Sequence, residues 1–346
     1  MRDNHDLQNI LTPFEFLLSG ITSIHSPIGI EFYKSWLSKE FHGEMHYLKE
    51  HLPQKEDPTK LHGKAHSVIC IAHGYAPHPK PMNPLPGLQI ALYAQGEDYH
   101  FWFKAKLNQA CEALKLAFPN EDFLPFTDSA PLLERDLANR AGLGWFGKNT
   151  CLINQKKGSL FFLGEIVTSL KLNEDQSIQN TALSHDFCGK CTRCLDECPT
   201  QALIAPKILD SKKCISYLTI ESKTVPALRL REQIGSWFYG CDICQTVCPW
   251  NQKHLIKLAQ ISPADINSKK NQLNDDLRFI LTASGKKIEK RLIGTPLVRA
   301  RTFGLRRNAL IVIGNLKLLE LKPEVEKQLA NPRLNELANW TLEKLK

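Results

Sequence analysis

Cys188, Cys191, Cys194 and Cys198, with Pro199 directly after the last, form a CxxCxxCxxxCP run. Few short patterns constrain a chain more tightly. Three thiolates on one tight loop can grip three irons of a cubane, while the fourth, on the helix that follows, points to a second cubane. Thiolate suits the task because it is a soft, anionic ligand that tolerates several iron oxidation states. A second motif, Cys241, Cys244 and Cys248 before Pro249, repeats the template without its first position, which in register is Phe238 and cannot ligate. Two cubanes need eight ligands and the motifs supply seven; Cys214, lying between them, is the natural eighth. The crossover rule then gives Cys188, Cys191, Cys194 and Cys248 to one [4Fe–4S] cluster and Cys198, Cys214, Cys241 and Cys244 to the other. Paired CxxC motifs also make zinc ribbons. The third and fourth cysteines and both Cys-Pro pairs count against zinc. Cys70, Cys111 and Cys151 are left over and read as structural.

Eleven cysteines need a compartment that keeps them reduced. The N-terminus has acidic and polar residues where a signal peptide needs a basic and then an apolar run, and about 18 consecutive apolar residues occur nowhere. A cytoplasmic protein, with metal-bound thiols rather than disulfides and no membrane contact, is expected. At 346 residues, 42% apolar and 23% charged, the chain can build two or three cored domains. Its net charge of +8 is concentrated: Lys286, Lys287, Lys290, Arg291, Arg299, Arg301, Arg306 and Arg307 stand against the single Glu289. Such a stripe suits a polyanion, whose neutralised phosphates release counterions. A solvated helix face would look the same.

Pattern along the chain suggests three regions: residues 1–177, 178–253 and 254–346. The first mixes helices and strands. A helical run spans Glu31 to Leu52 and stops at Pro53; Val68–Ala72 has strand length; five prolines make Pro77–Pro86 a loop. Phe103, Leu107, Ala110, Cys111, Leu114 and Phe118 recur at helical spacing. A helix is expected over Leu132–Ala141, and one strand or two, with Gly164 interrupting, over Ser159–Leu170. Beyond Asn251 the pattern is helical, with one or two solenoid-like hairpins over Leu305–Lys346.

Several segments outside the cysteines match one family. They are FTDSAP from Phe126 to Pro131, Glu134-Arg135, RAGLGWFGKNT from Arg140 to Thr150, Gly158-Ser159, CISYL from Cys214 to Leu218, and GCDICQTVCPWN from Gly240 to Asn251. Together they resemble the epoxyqueuosine reductases, over about residues 20 to 315. The resemblance implies an α/β (α+β) N-terminal cobalamin-binding domain, a bacterial-ferredoxin-like two-cluster domain and an α-helical, HEAT-like C-terminal region. It implies cobalamin bound base-off, reduced through the clusters by an unidentified electron donor, in a monomer. The implied substrate is epoxyqueuosine at the wobble position of the GUN-anticodon tRNAs for Tyr, His, Asn and Asp, held by the anticodon arm on the basic segment after Gly285.

Asp128 matches the family's proton donor, a task that requires a raised pKa. By its own sequence context it could equally cap a helix. Asp136 is a weaker candidate, able to pair with Arg140 one turn on. The resemblance also marks Tyr99, His100, Gly147, Lys148, Asn149, Gly158 and Ser159 as cobalamin contacts. Lys55 takes the place of an expected arginine, keeping charge but losing the bidentate fork. Ser216, Tyr217 and Asp242 face either the cofactor or the cluster loops. Gly142–Gly147 spells GxGxxG, but it follows a helix rather than a strand, which counts against a dinucleotide fold. Two other readings share parts of this pattern: a reductive dehalogenase, and a ferredoxin-like carrier with a basic docking face.

Overall fold

A computed structural model describes residues 4–75, 83–172, 186–259 and 266–346. Most of the proline-rich stretch and the expected boundary at 177 lie outside these residues. Four strands, Leu18–Ser23, Ser67–Gly74, Phe161–Thr168 and Phe123–Phe126, lie side by side in that order, every neighbouring pair antiparallel. The N-terminal part is therefore α+β. Val68, Cys70 and Ala72 belong to one covered face, Ile69 and Ile71 to the other. Burial on both sides explains an apolar run without alternation.

The helix Tyr99–Ala117 covers one face with the residues its spacing marked, and the helix Glu134–Arg140 covers the other with Leu137 and Ala138. Gly164 does not interrupt Phe161–Thr168. A Cβ there would come within 2.8 Å of Leu107 and 3.0 Å of Phe103, so glycine allows the long helix to lie close to the sheet.

The expected run from Glu31 to Leu52 is broken. Helix Ile30–Ser38 stops, and a second begins at Tyr47. Between them Gly43 has φ +60°, and a Cβ on it would meet the Tyr217 hydroxyl at 2.5 Å. Close approach of a distant segment overrides local helical pattern. Pro53 occupies the first turn of Leu52–Glu56 rather than ending a helix.

In the cysteine region the short helices Arg193–Asp196 and Ile243–Thr246 pack together, each carrying one motif cysteine, Cys194 or Cys244, ahead of its Cys-Pro. The largest core ignores the expected divisions. It joins Leu85, Leu88 and Ile90 with Ile215, Leu218 and Phe238 and with the helices Ile266–Thr282, Arg301–Leu316 and Asn335–Lys344. Trp237–Tyr239 pairs in parallel with Gln89–Ile90. Phe238, the residue in the missing ligand's register, is fully buried in this core.

Arg307, expected to meet a polyanion, is instead fully buried. Its guanidinium donates to the carbonyls of Leu218, Ser222 and Thr224, while the Asn308 amide donates to those of Thr219 and Phe238. Burial pushes the Arg307 pKa down to about 10. The pair fastens the Arg301–Leu316 helix to the cysteine region. Replacing Arg307 with Met should leave three carbonyls unpaired and lower stability by about 3 kcal/mol in denaturant unfolding. Lys290→Ala, on the exposed face, should change it by less than about 0.5 kcal/mol.

Candidate active site

Asp128 follows the edge strand Phe123–Phe126. Thr127 Oγ1 donates to the Leu163 carbonyl of the neighbouring strand (2.9 Å), and the Asp128 amide donates to Glu134 Oε1 (2.5 Å). Between these anchors Asp128 adopts φ +55°, a left-handed conformation that costs a non-glycine residue about 1 kcal/mol or more. The helix begins only at Glu134, with Leu133 at its N-cap position, so Asp128 does not cap it.

The carboxylate is aimed at a cluster of donors. Tyr99 Oη donates to Oδ2 at 2.9 Å, His100 Nε2 lies 2.8 Å from the same oxygen, and an Arg299 guanidinium nitrogen lies 3.6 Å away. On its other side the His100 ring places Nδ1 2.6 Å from Asp98 Oδ1. Asp98 also caps the long helix by accepting the His100 amide. Tyr99 is held by stacking on Phe162, ring centres 4.2 Å apart. Nε2 also lies against Arg299. It can donate to Asp128 when the ring is protonated and accept from Arg299 when it is neutral.

Burial pushes the Asp128 carboxyl up, but His100, Tyr99 and Arg299 outweigh it and hold it below the usual carboxylate range. This corrects the expectation of a raised value. Burial lowers the His100 pKa, yet Asp128 and Asp98 more than offset that and raise it.

These residues line a cavity of about 290 Å³ together with Cys214, Ser216, Tyr217 and Glu221. That is the small end for ligand pockets. Tyr217 also lines a cleft of about 1160 Å³, walled by Lys34, His42, His46, Lys49 and Arg229 among others. Of the residues expected at cobalamin, Tyr99, His100, Asp128, Ser216 and Tyr217 meet in the small cavity.

The others have different partners. Lys55 is buried and donates to the Leu132 carbonyl (2.9 Å). Lys148 Nζ donates to the carbonyls of Gly189 and Cys191, and Asn149 to that of Cys244. A Cβ on Gly147 would crowd Ile153 and Asn149, and one on Gly158, at φ +69°, would strike Asn251 Oδ1. Ser159 bonds Asn251 and Gln245, and buried Asp242 accepts the Leu92 amide (2.6 Å). Five residues marked for the cofactor, Lys148, Asn149, Gly158, Ser159 and Asp242, thus tie the cysteine loops to the rest of the chain. Asp136 pairs with Arg140 at 3.0 Å.

Cys194 has Cys188, Cys248 and Cys191 as its thiol neighbours, and Cys241 has Cys214 and Cys198. Cys244 neighbours Cys151, Cys214 and Cys241. Without iron, burial pushes Cys194 up to about 11 and Cys241 up to about 12. Backbone amides already point at several sulfurs: Ala202 N–H lies 3.3 Å from Cys198, and those of Ser216 and Tyr217 face Cys214 at a helix start. Cys70 and Cys111 are core residues, whereas Cys151, expected to be unpaired, hydrogen-bonds Cys244.

Sequence reasoning missed Asp98, Glu165, the role of Glu134, which it marked only as part of a matching segment, and the true place of Arg299, which lines the cavity rather than an outer stripe. The signal for Glu165 was an acid inside an apolar strand. Lys286, Lys287, Lys290, Arg291 and Arg301 are exposed, Arg306 bonds the carbonyls of Ile280 and Ala283, and Arg291 also pairs with Asp276.

A raised His100 pKa has a definite pH signature. The ion pair's stabilisation is complete below about 6.5, the unfolded value, and fades as pH climbs through the higher folded value. Asp128→Asn should therefore move the His100 midpoint, followed by NMR, downward. An unmoved midpoint would mean that Asp98 alone holds the proton.

Comparison with known proteins fits this geometry. The family model described as epoxyqueuosine reductase QueG, DUF1730, matches residues 55–129, and one described as a 4Fe-4S double cluster binding domain matches residues 187–251. The chain is 37% identical over 308 residues to an epoxyqueuosine reductase of Francisella cf. novicida, covering 85% of this chain and 83% of that one. The solved epoxyqueuosine reductase of Streptococcus thermophilus superposes with a TM-score of 0.82 at 25% identity, covering 100% of this chain and 90% of the other. A structure of an epoxyqueuosine reductase with an epoxyqueuosine-modified tRNA-Tyr stem loop gives 0.80 at 24% identity, covering 99% and 90%. With its double-cluster segment and this extent of identity, the chain belongs to the epoxyqueuosine reductase family of oxidoreductases.

Proposed function

We propose that this enzyme reduces epoxyqueuosine to queuosine at the wobble position, position 34, of tRNAs for Tyr, His, Asn and Asp, with cobalamin and two [4Fe–4S] clusters. The observation that carries the proposal is that Cys214 and Asp128 line one cavity. An electron-delivering ligand and a proton-handling carboxylate converge there, and removing an epoxide oxygen as water needs both electrons and protons. The clusters take Cys188, Cys191, Cys194, Cys248 and Cys198, Cys214, Cys241, Cys244, the two sets that the thiol neighbourhoods support. Cobalamin fits the small cavity together with the cleft across Tyr217, between the N-terminal and cysteine regions. When bound and reduced, it supplies the strong reductant for epoxide opening.

The protein's own contribution is the proton. An apolar ligand over the cavity excludes water, which favours the neutral pair, acidic Asp128 beside neutral His100, over the ion pair. Arg299 can then donate to the freed His100 Nε2, leaving Asp128 to protonate the oxygen. Asp98 keeps the ring oriented throughout.

The HEAT-like helical region presents Lys286, Lys287 and Lys290 on one exposed face of Gly285–Leu292, with Ile288 and Leu292 buried behind. Lys286 and Lys287 occupy the first turn, where the helix dipole disfavours cations. Folding alone does not reward them there, and an anticodon-arm phosphate would. Among the described residues no helix is long and apolar enough to cross a membrane. The reaction as proposed belongs in the cytoplasm because its tRNA substrate is there.

Anaerobic incubation of the reconstituted enzyme with cobalamin, a chemical reductant and epoxyqueuosine-bearing tRNA should yield a nucleoside lighter by one oxygen, read by mass spectrometry. In that assay Asp128→Asn should retain clusters and cobalamin but lose about 10²–10⁴-fold in turnover. Replacing Lys286, Lys287 and Lys290 with Ala should weaken stem-loop binding and flatten its log–log salt dependence by roughly one for each phosphate no longer neutralised.

A further inference from the structure

Glu165 sits in the middle of the sheet, opposite Cys70 on one neighbouring strand and Phe126 on the other, and is fully buried. Strand parity puts it on the face of Leu163 and Val167, among apolar side chains beneath the Glu134–Arg140 helix. An unpaired ionised carboxylate is very costly in such a place. Neither Glu165 oxygen has a donor; what faces them is the carboxyl of Glu134, another acceptor. Two carboxyls can share a hydrogen bond only when one carries a proton. Glu134 is the member that accepts the Asp128 amide, and Lys55 and Arg135 lie near it, which favours charge on Glu134 and the proton on Glu165.

We infer that Glu165 is a resident neutral acid that donates to Glu134, and that this pair is a positioning device holding Asp128 in its left-handed conformation over the cavity. The inference rests on the reading of Asp128 as proton donor. Glu134 connects the two parts: the same carboxyl faces Glu165 and grips the Asp128 amide. Ionising Glu165 would set two like charges against each other in an apolar layer, and moving Glu134 away to relieve them would release that amide. Burial pushes Glu134 up to about 7 and Glu165 well above its ordinary value. The groups around the pair are Cys70 on the adjoining strand, Asp128 on its loop, Lys55, Arg135, and Asp136 and Arg140 further along the helix.

Two measurements on the reconstituted full chain test this. Unfolded glutamate ionises near 4.3 while native Glu165 keeps its proton, so above that value the wild type loses stability as pH rises. Glu165→Gln removes that dependence. The melting temperature of the variant should therefore gain on the wild type steadily from about pH 5 to pH 8; a constant gap would overturn the shared proton. In turnover, Glu165→Leu, which cannot donate, should lower kcat about a hundredfold with little change in KM. Glu165→Gln, which can donate, should recover most of it. Equal losses in the two variants, or a change in KM alone, would overturn the positioning role. If the wild type converts no epoxyqueuosine, the reading of Asp128 fails, and the melting series still decides the proton.

Discussion

The strand Phe161–Thr168 is the element on which the active site depends. It pairs with strands on both sides, so its register is fixed twice and a slip of one residue would turn every side chain to the wrong face. Each of its central residues has a separate task. Leu163 offers the carbonyl that anchors Thr127, Gly164 admits the helix carrying Tyr99 and His100, and Glu165 lies beneath Glu134. Asp128 and the donors that hold it are therefore positioned from a common backbone. Strain at Asp128 is sustained because the sheet and both flanking helices would have to shift to relieve it.

The site is built from ionisable groups whose protons are shared. Asp98, His100, Asp128, Arg299, Glu134 and Glu165 cannot be described one at a time, because each one's charge depends on its neighbours. The depressed pKa of Asp128 is then compatible with acid chemistry, since its partner His100 keeps a proton within hydrogen-bond reach. A plain electron carrier would have no use for such an array beside a cysteine of the double-cluster segment. The identity shared with epoxyqueuosine reductases separates this chain from the dehalogenase reading on independent grounds.

Much of this architecture was legible in the residues. The cysteine spacing singled out the segment that the double-cluster family model matches, and helical periodicity identified every buried position of Tyr99–Ala117 beyond its first turn. What escaped was set by contacts between distant segments. The stretch between Ser38 and Tyr47 contains Gly43, against which the distant Tyr217 lies, and no local pattern carries that contact. Charge was legible in amount but not in direction: within one basic segment Lys287 faces solvent, Arg299 enters the cavity and Arg307 is buried. Motif residues such as Asn149 and Ser159 were singled out as cofactor contacts, and in the structure their partners are a loop carbonyl and side-chain amides. A motif marks where a fold is constrained without saying which atom imposes the constraint.

The parallel pairing of Gln89–Ile90 with Trp237–Tyr239 has an implication for assembly. Its two halves are separated by about half of the first region and the whole first cysteine motif, and one shared core closes over both and over the C-terminal helices. Contacts of such sequence separation form late and slowly, because long loops must close before they are rewarded. The cysteine region thus reaches its final form only once the chain on both sides is present. Unlike a ferredoxin, it is not a detachable cassette, and cluster insertion becomes coupled to completion of the whole polypeptide.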